Sequence, residues 1–113
     1  MYRDLEFDVS GQQLTKKIDC NFDNIVAGTR GYLRAVFHFE TEDWKDCIKA
    51  AGFYVRDMEY MKRKEYAVLL DENDTCVIPE EVLGYPTIEV SLTGVKEGYR
   101  ITSSLCDFEQ EVL

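Results

Sequence analysis

Ile88-Glu89-Val90-Ser91-Leu92-Thr93 alternates apolar and polar side chains without a break. A period of two sends Ile88, Val90 and Leu92 to one face of a strand and Glu89, Ser91 and Thr93 to the other. The rhythm recurs on either side. Leu5, Phe7 and Val9 alternate with Asp4, Glu6 and Asp8, and Leu14, Lys16 and Ile18 follow Gly11 as a hairpin partner. Tyr32 to Phe39 is rich in aromatic and β-branched residues and reads as a well-buried strand. Tyr66, Val68 and Leu70 share one face, Asp71-Glu72-Asn73-Asp74 is a polar turn, and Thr75 to Ile78 resumes a strand. After a turn over Gly94–Gly98, Tyr99–Thr102 and Phe108–Val112 close the series. Turn signals every 8–14 residues or so are the signature of an all-β sandwich or barrel. The expected core is Leu5, Phe7, Val9, Tyr32, Phe37, Phe39, Trp44, Phe53, Val77, Ile88, Val90, Leu92 and Ile101, held between two antiparallel sheets.

Two stretches break the pattern. Pro79-Glu80-Glu81-Val82-Leu83-Gly84 reads as one short helical turn near 79–83: proline suits the first position, carboxylates the N-terminal dipole, glycine the exit. In Thr41–Gly52, Trp44, Cys47, Ile48 and Ala51 fall at helical spacing, with Thr41 as N-cap and Gly52 as exit. Lys49, Ala51 and Phe53 alternate instead at strand spacing, so residues 44–52 carry both signals.

The chain has 113 residues, 45% of them apolar, with no Pro-, Ser- or Gly-rich linker, which predicts one domain over 1–113. Thirteen Lys and Arg against 22 Asp and Glu give a net charge of −9. That balance argues against nucleic acid and against an anionic membrane surface as partners. No apolar run approaches the roughly 20 residues that span a bilayer, and the charged start Met1-Tyr2-Arg3-Asp4-Leu5-Glu6 is unlike a signal peptide.

Sites of chemistry are sparse. Cys20, Cys47, Cys76 and Cys106 lie far apart in sequence and form no paired zinc-ligand motif, so they are expected to be free thiols. The lone histidine, His38, sits within Phe37-His38-Phe39 on one face of an alternating strand. Asp71-Glu72-Asn73-Asp74-Thr75 resembles the start of a calcium loop, but Thr75, Cys76 and Val82 stand where an EF-hand requires an oxygen ligand, glycine and glutamate. Asn73-Asp74-Thr75 matches a glycosylation acceptor and is taken as chance. No phosphate-loop, dinucleotide, nucleophile-elbow or metalloprotease pattern occurs. The expectation is therefore no enzyme activity, with no catalytic, cofactor-binding or metal-binding residues and no cofactor. Charge is uneven: seven acids and no bases lie between Glu65 and Val95, with Arg56, Lys62, Arg63 and Lys64 just before them. These read either as a solvated hairpin tip or as contact patches between copies.

From about Ile25 to Val112 the order of motifs resembles a known family. Tyr32-x-x-Ala35-x-Phe37-x-Phe39 is followed by Trp44, then by Lys49-x-Ala51-x-Phe53 and by Leu69-Leu70-Asp71. Cys76-Val77-Ile78-Pro79-x-Glu81-Val82-Leu83, Val90-x-Leu92-x-Gly94 and Arg100-Ile101-Thr102 complete the order. This pattern resembles the N-terminal immunoglobulin-like domain of tail and baseplate proteins of long-tailed bacteriophages, including the baseplate upper protein type. The resemblance implies an immunoglobulin-like antiparallel β-sandwich in which Trp44 fills the space between sheets, Pro79 forces a corner and Gly94 permits a tight turn. It implies that Cys47–Val55 is a strand and that residues 1–24 are an added N-terminal hairpin.

In function, the resemblance implies a non-enzymatic structural protein of a phage virion, in the tail, the baseplate or on the capsid. Its place would be the particle, and the host cytoplasm during assembly. Its partners would be other virion proteins and, through an open edge on the strand Leu5–Val9, further copies of itself as a homo-oligomer. Two other classes stay open. One is a carbohydrate-binding sandwich, which needs exposed rings in a flat face, with Tyr54, Tyr60, Tyr66, Tyr85 and Tyr99 available. The other is a hydrolase using Cys76 or a carboxylate pair.

Overall fold

A computed structural model describes residues 1–112 other than 58 and 60. Among the described residues nine strands form two sheets packed as a sandwich. The first sheet contains β1 (Arg3–Ser10), β2 (Gln13–Lys16), β3 (Leu33–Phe39) and β6 (Thr75–Val77), in the order β2-β1-β3-β6. The second contains β4 (Ile48–Asp57), β5 (Lys62–Leu69), β7 (Thr87–Lys96), β8 (Tyr99–Thr102) and β9 (Cys106–Glu109). Its order is β5-β4-β7, with β8 and β9 both along the far edge of β7. All pairings between these strands are antiparallel except β1 with β3, which run parallel. Among the described residues no helix is long and apolar enough to cross a membrane.

Alternation sets the layers. Leu5, Phe7 and Val9 of β1, Leu33, Ala35 and Phe37 of β3, Ala51, Phe53 and Val55 of β4, and Ile88, Val90 and Leu92 of β7 all point inward and are buried. Two expected core residues are wrong in phase. Tyr32 is one position ahead of the inward set Leu33-Ala35-Phe37, and Val77 lies between inward Cys76 and Ile78; they are 42% and 39% exposed. Phe39 and Ile101 pack against the core but are only half-buried. Ile25, Ile78, Val82, Leu83 and Phe108, not named from sequence, complete the core.

In 44–52 the strand signal prevails. A short 3-10 turn covers Glu42–Trp44, and Asp46, at φ 65°, ends it before β4 begins. Helical spacing fails here because Ile48 is 72% exposed on the outer face while Ala51 is buried on the inner one. Thr41 precedes the turn without capping it; its hydroxyl accepts from the Gly11 N–H instead. The expected turn near 79–83 is a 3-10 turn over Glu80–Val82 with Pro79 ahead of it.

Gly94 is a correction. It lies inside β7 rather than at a turn, which falls at Gly98 (φ 69°). Its missing side chain has another reason: a Cβ there would stand 2.8 Å from Cε3 of Trp44. Trp44 is buried, packs on Phe39 of the first sheet at 5.3 Å and donates its indole N–H to the Gly11 carbonyl at 2.7 Å. The ring thus bridges the sheets, and Gly94 makes room for it.

The N-terminal hairpin is built into the sandwich, with β1 between β2 and β3. Where β2 ends, side chains close the rest of the β1 edge. The Cys20 thiol accepts from the Glu6 N–H, and the Arg3 guanidinium donates to the carbonyls of Asn21, Asp23 and Asn24. The open edge expected on Leu5–Val9 is therefore absent: both flanks of β1 are occupied, and that basis for strand pairing between copies is withdrawn.

Candidate interaction surface

Each sheet presents one outer face, and the two are built differently. On the first sheet the outward carboxylates Asp4 and Glu6 each meet a basic side chain. Arg34 donates two hydrogen bonds to Asp4, at 2.8 and 3.0 Å, and His38 Nε2 lies 2.8 Å from Glu6. Lys17 pairs with Asp19. These contacts raise the Arg34 and Lys17 pKa values, chiefly through the hydrogen bonds to Asp4 and Asp19, and the Lys17 bond lowers that of Asp19. His38 is thus on a strand face, as its alternation suggests, and meets a carboxylate.

On the outer face of the second sheet Glu65, Tyr54, Glu89 and Asp107 share one row across the strands, and Arg56 and Arg63 the next. At one end this face is mainly apolar, with Arg100 of β8 opposite Val95. Ile48 stands directly opposite Val95, and Leu69 directly opposite Ala50, leaving Ile48, Leu69 and Val95 at 72%, 68% and 46% exposure. Ala67, Ser91 and Thr93 continue this surface along their strands. At the other end, charges of one sign face each other across strand pairs. Arg56 is opposite Arg63, and Glu89 is opposite Asp107. Like charges directly opposite destabilise a sheet. The basic cluster seen in sequence is thus partly spatial. Arg63 stacks on the Tyr54 ring at 4.1 Å, while Lys64 turns to Asp57 at 3.5 Å and to the Tyr85 hydroxyl at 3.4 Å.

The acidic run of 65–95 does not form one patch. Asp71 accepts from the Asn73 and Thr75 N–H groups of its own turn, Asp74 pairs with Lys49 at 2.9 Å, and Glu80 lies 3.6 Å from Arg30. The acidic group that does assemble is Glu89 with Asp107 and Glu109 at the β9 edge. Sequence reading missed the last two, although Asp107 and Glu109 flank inward Phe108 at period two. No group of His, Cys, Asp and Glu among the described residues has the arrangement of a metal site.

Tyr54, Tyr85, Arg56, Glu89 and Asp107 line a cleft of about 340 Å³. Its aromatic faces are taken. Tyr54 lies down over Gly52, where a Cβ would meet its hydroxyl at 2.8 Å, bonds Ser91 at 2.9 Å and is covered by Arg63. Tyr66 and Tyr85 pack against the core, and Tyr99 donates to the Asp43 carbonyl beneath Lys96. Tyr60 lies outside the described residues. Four of the five tyrosines needed for a sugar-stacking platform are thus engaged elsewhere. Cys76 is buried, and burial pushes its thiol pKa up to about 12, the reverse of what a nucleophile needs. The four cysteines are free thiols. No protein-family model and no curated protein matches the chain.

Proposed function

We propose that this chain is a non-enzymatic structural protein of a bacteriophage virion that acts through protein–protein contacts, including contacts with further copies of itself. The observation that supports this reading is where the family-like motifs fall. Tyr32–Phe39, Trp44, Lys49–Phe53, Cys76–Leu83, Val90–Gly94 and Arg100–Thr102 cover, in order, β3, the inter-sheet tryptophan, β4, the β6 corner, β7 and β8. These are the elements that build the sandwich around Trp44. The exposed apolar residues Ile48, Leu69 and Val95 on the outer face of the second sheet further support a module that works by being covered. Mass spectrometry of particles purified after prophage induction from the host encoding the chain tests the proposal. Peptides of this chain at a stoichiometry fixed relative to tail or capsid proteins are expected. Their absence from intact particles, with the chain present in the lysate, would refute it.

A further inference from the structure

We propose that two copies of the chain pair edge to edge through β5, antiparallel to one another, about a two-fold axis that stands perpendicular to the sheet at the level of Tyr66. It rests on the self-association reading above and names the edge and the partner. Leu70 donates its N–H to the Lys49 carbonyl at 2.9 Å, in register with Leu69 opposite Ala50. Hydrogen-bonded and non-hydrogen-bonded pairs alternate along an antiparallel ladder. Lys64, Tyr66 and Val68 therefore bond β4, while Arg63, Glu65, Ala67 and Leu69 turn their N–H and C=O groups away from it. No strand or side chain among the described residues takes up those groups. The β5 edge is eight residues long, whereas the other edge strands β2, β6, β8 and β9 have three or four. The β2 edge is also partly closed, since Leu14 donates to the Ser104 hydroxyl and Ser104 to the Gln12 carbonyl. An open edge of the length of β5 is a template for another strand.

The residues of β5 select the register. Two such strands share hydrogen bonds only where outward residues face outward residues, so the two-fold axis lies level with a residue. Centred on Lys64 or Glu65, it would set that charge directly against itself. Centred on Ala67 or Val68, it would leave Arg63 without a partner in the second strand. Centred on Tyr66, it sets Arg63 on Leu69, Lys64 on Val68, Glu65 on Ala67 and Tyr66 on itself, and the outward groups of both strands are all used. The two Tyr66 rings then form a non-hydrogen-bonded pair, the closer kind, and aromatic pairs across strands are favourable. No like charges stand directly opposite. Glu65 lies diagonal to its own symmetry mate at about 7–8 Å, near the screening length of physiological salt. Charge also favours a second copy over an arbitrary strand. Lys62 and Lys64 are side chains of the kind that blunt an edge. Here Lys62 faces the second copy's Leu70, which Asp71 and Glu72 follow at once. The basic start of each strand thus lies beside the acidic turn that follows the other, and the two basic clusters sit at opposite ends. The contact is isologous and uses up both edges, so it closes at two copies. It is small, so the dimer depends on concentration.

Sedimentation velocity from about 1 to 200 µM tests this with wild type, Ala67→Pro, Leu69→Lys and Leu69→Glu. Ala67→Pro removes an N–H that points away from β4 and puts the ring at a sheet edge, where proline is tolerated. Its circular dichroism should match wild type while dimer affinity falls about tenfold or more. The Leu69 variants read the same edge without touching the backbone, and they decide the matter if Ala67→Pro does not fold. Position 69 is exposed and faces Ala50 in its own copy and Arg63 in the other. Lysine there should weaken the dimer about threefold or more, and glutamate should tighten it by a similar factor although it adds negative charge to both copies. A dimer that survives in folded Ala67→Pro would place self-association on another surface and overturn this proposal alone. Leu69→Lys and Leu69→Glu that shift affinity in the same direction, or not at all, would overturn the pairing about Tyr66. Wild type that stays monomeric throughout would overturn both this proposal and the self-association reading.

Discussion

Replacing Gly94 with alanine puts a methyl group into a contact that real Cβ atoms do not make. The new Cβ would stand 2.8 Å from Trp44 Cε3, 3.1 Å from Cζ3 and 3.2 Å from Cys47 Cβ. The φ of Gly94 lies outside the left-handed region, so the backbone itself does not require glycine; the cost is steric alone. Overpacking of this kind costs about 1–3 kcal/mol, and the stiffer unfolded chain of alanine offsets about 0.4–1 kcal/mol of that. A net loss of about 1–2 kcal/mol is expected. Trp44→Ala, at a ring that is 1% exposed, should cost about 3–5 kcal/mol. The double variant discriminates. With the indole gone, Gly94→Ala should become neutral or slightly stabilising, so the two changes should couple by about 2 kcal/mol. Urea unfolding followed by circular dichroism measures all four corners of the cycle, and Trp44→Leu supplies a milder background if Trp44→Ala is too unstable. Equal destabilisation by Gly94→Ala with and without the indole would refute the argument that Gly94 exists to admit Trp44.

Native-state alkylation at pH 8 should label Cys20 well before Cys76, whose pKa of about 12 leaves about one thiolate in ten thousand; intact mass with time checks the order. The Cys76 pKa is raised by folding, so its contribution to stability is complete below pH 9. It should fall by about 1.4 kcal/mol per pH unit between pH 9 and 12 as the unfolded thiol ionises, and alkaline urea titrations against a Cys76→Ala control measure this. Gln110→Ala should cost about 1–3 kcal/mol in urea unfolding, because the buried amide donates to the Tyr85 carbonyl at 2.6 Å and the Val82 carbonyl at 3.4 Å. Arg3→Ala should speed hydrogen exchange in residues 17–24 while leaving β3 protected, since Arg3 holds three carbonyls of that segment.

Most strands were legible because each inner residue alternates with an outer polar one, and a one-residue error in phase flips a side chain to the other face. That sensitivity explains the misplacement of Tyr32 and Val77, whose own residue types favour burial. The role of Gly94 was hidden for a different reason: glycine in sequence signals a turn, and only the approach of Trp44 from some fifty positions away shows that space was needed. The parallel insertion of β1 beside β3 was equally out of reach, since alternation sets faces and says nothing of neighbours. The interaction face was half visible. Arg56 and Arg63 stood out as a basic cluster, but the acidic group of Glu89, Asp107 and Glu109 is brought together by the β7–β9 register, which no local pattern encodes.

Small-angle X-ray scattering of the wild-type protein at tens of micromolar tests the self-association of the chain most directly. One copy has a radius of gyration of 13.9 Å. The expected result is a radius above that of one copy, with a scattering mass of at least twice 13.1 kDa that falls on dilution. A mass of 13.1 kDa at every concentration would contradict the account.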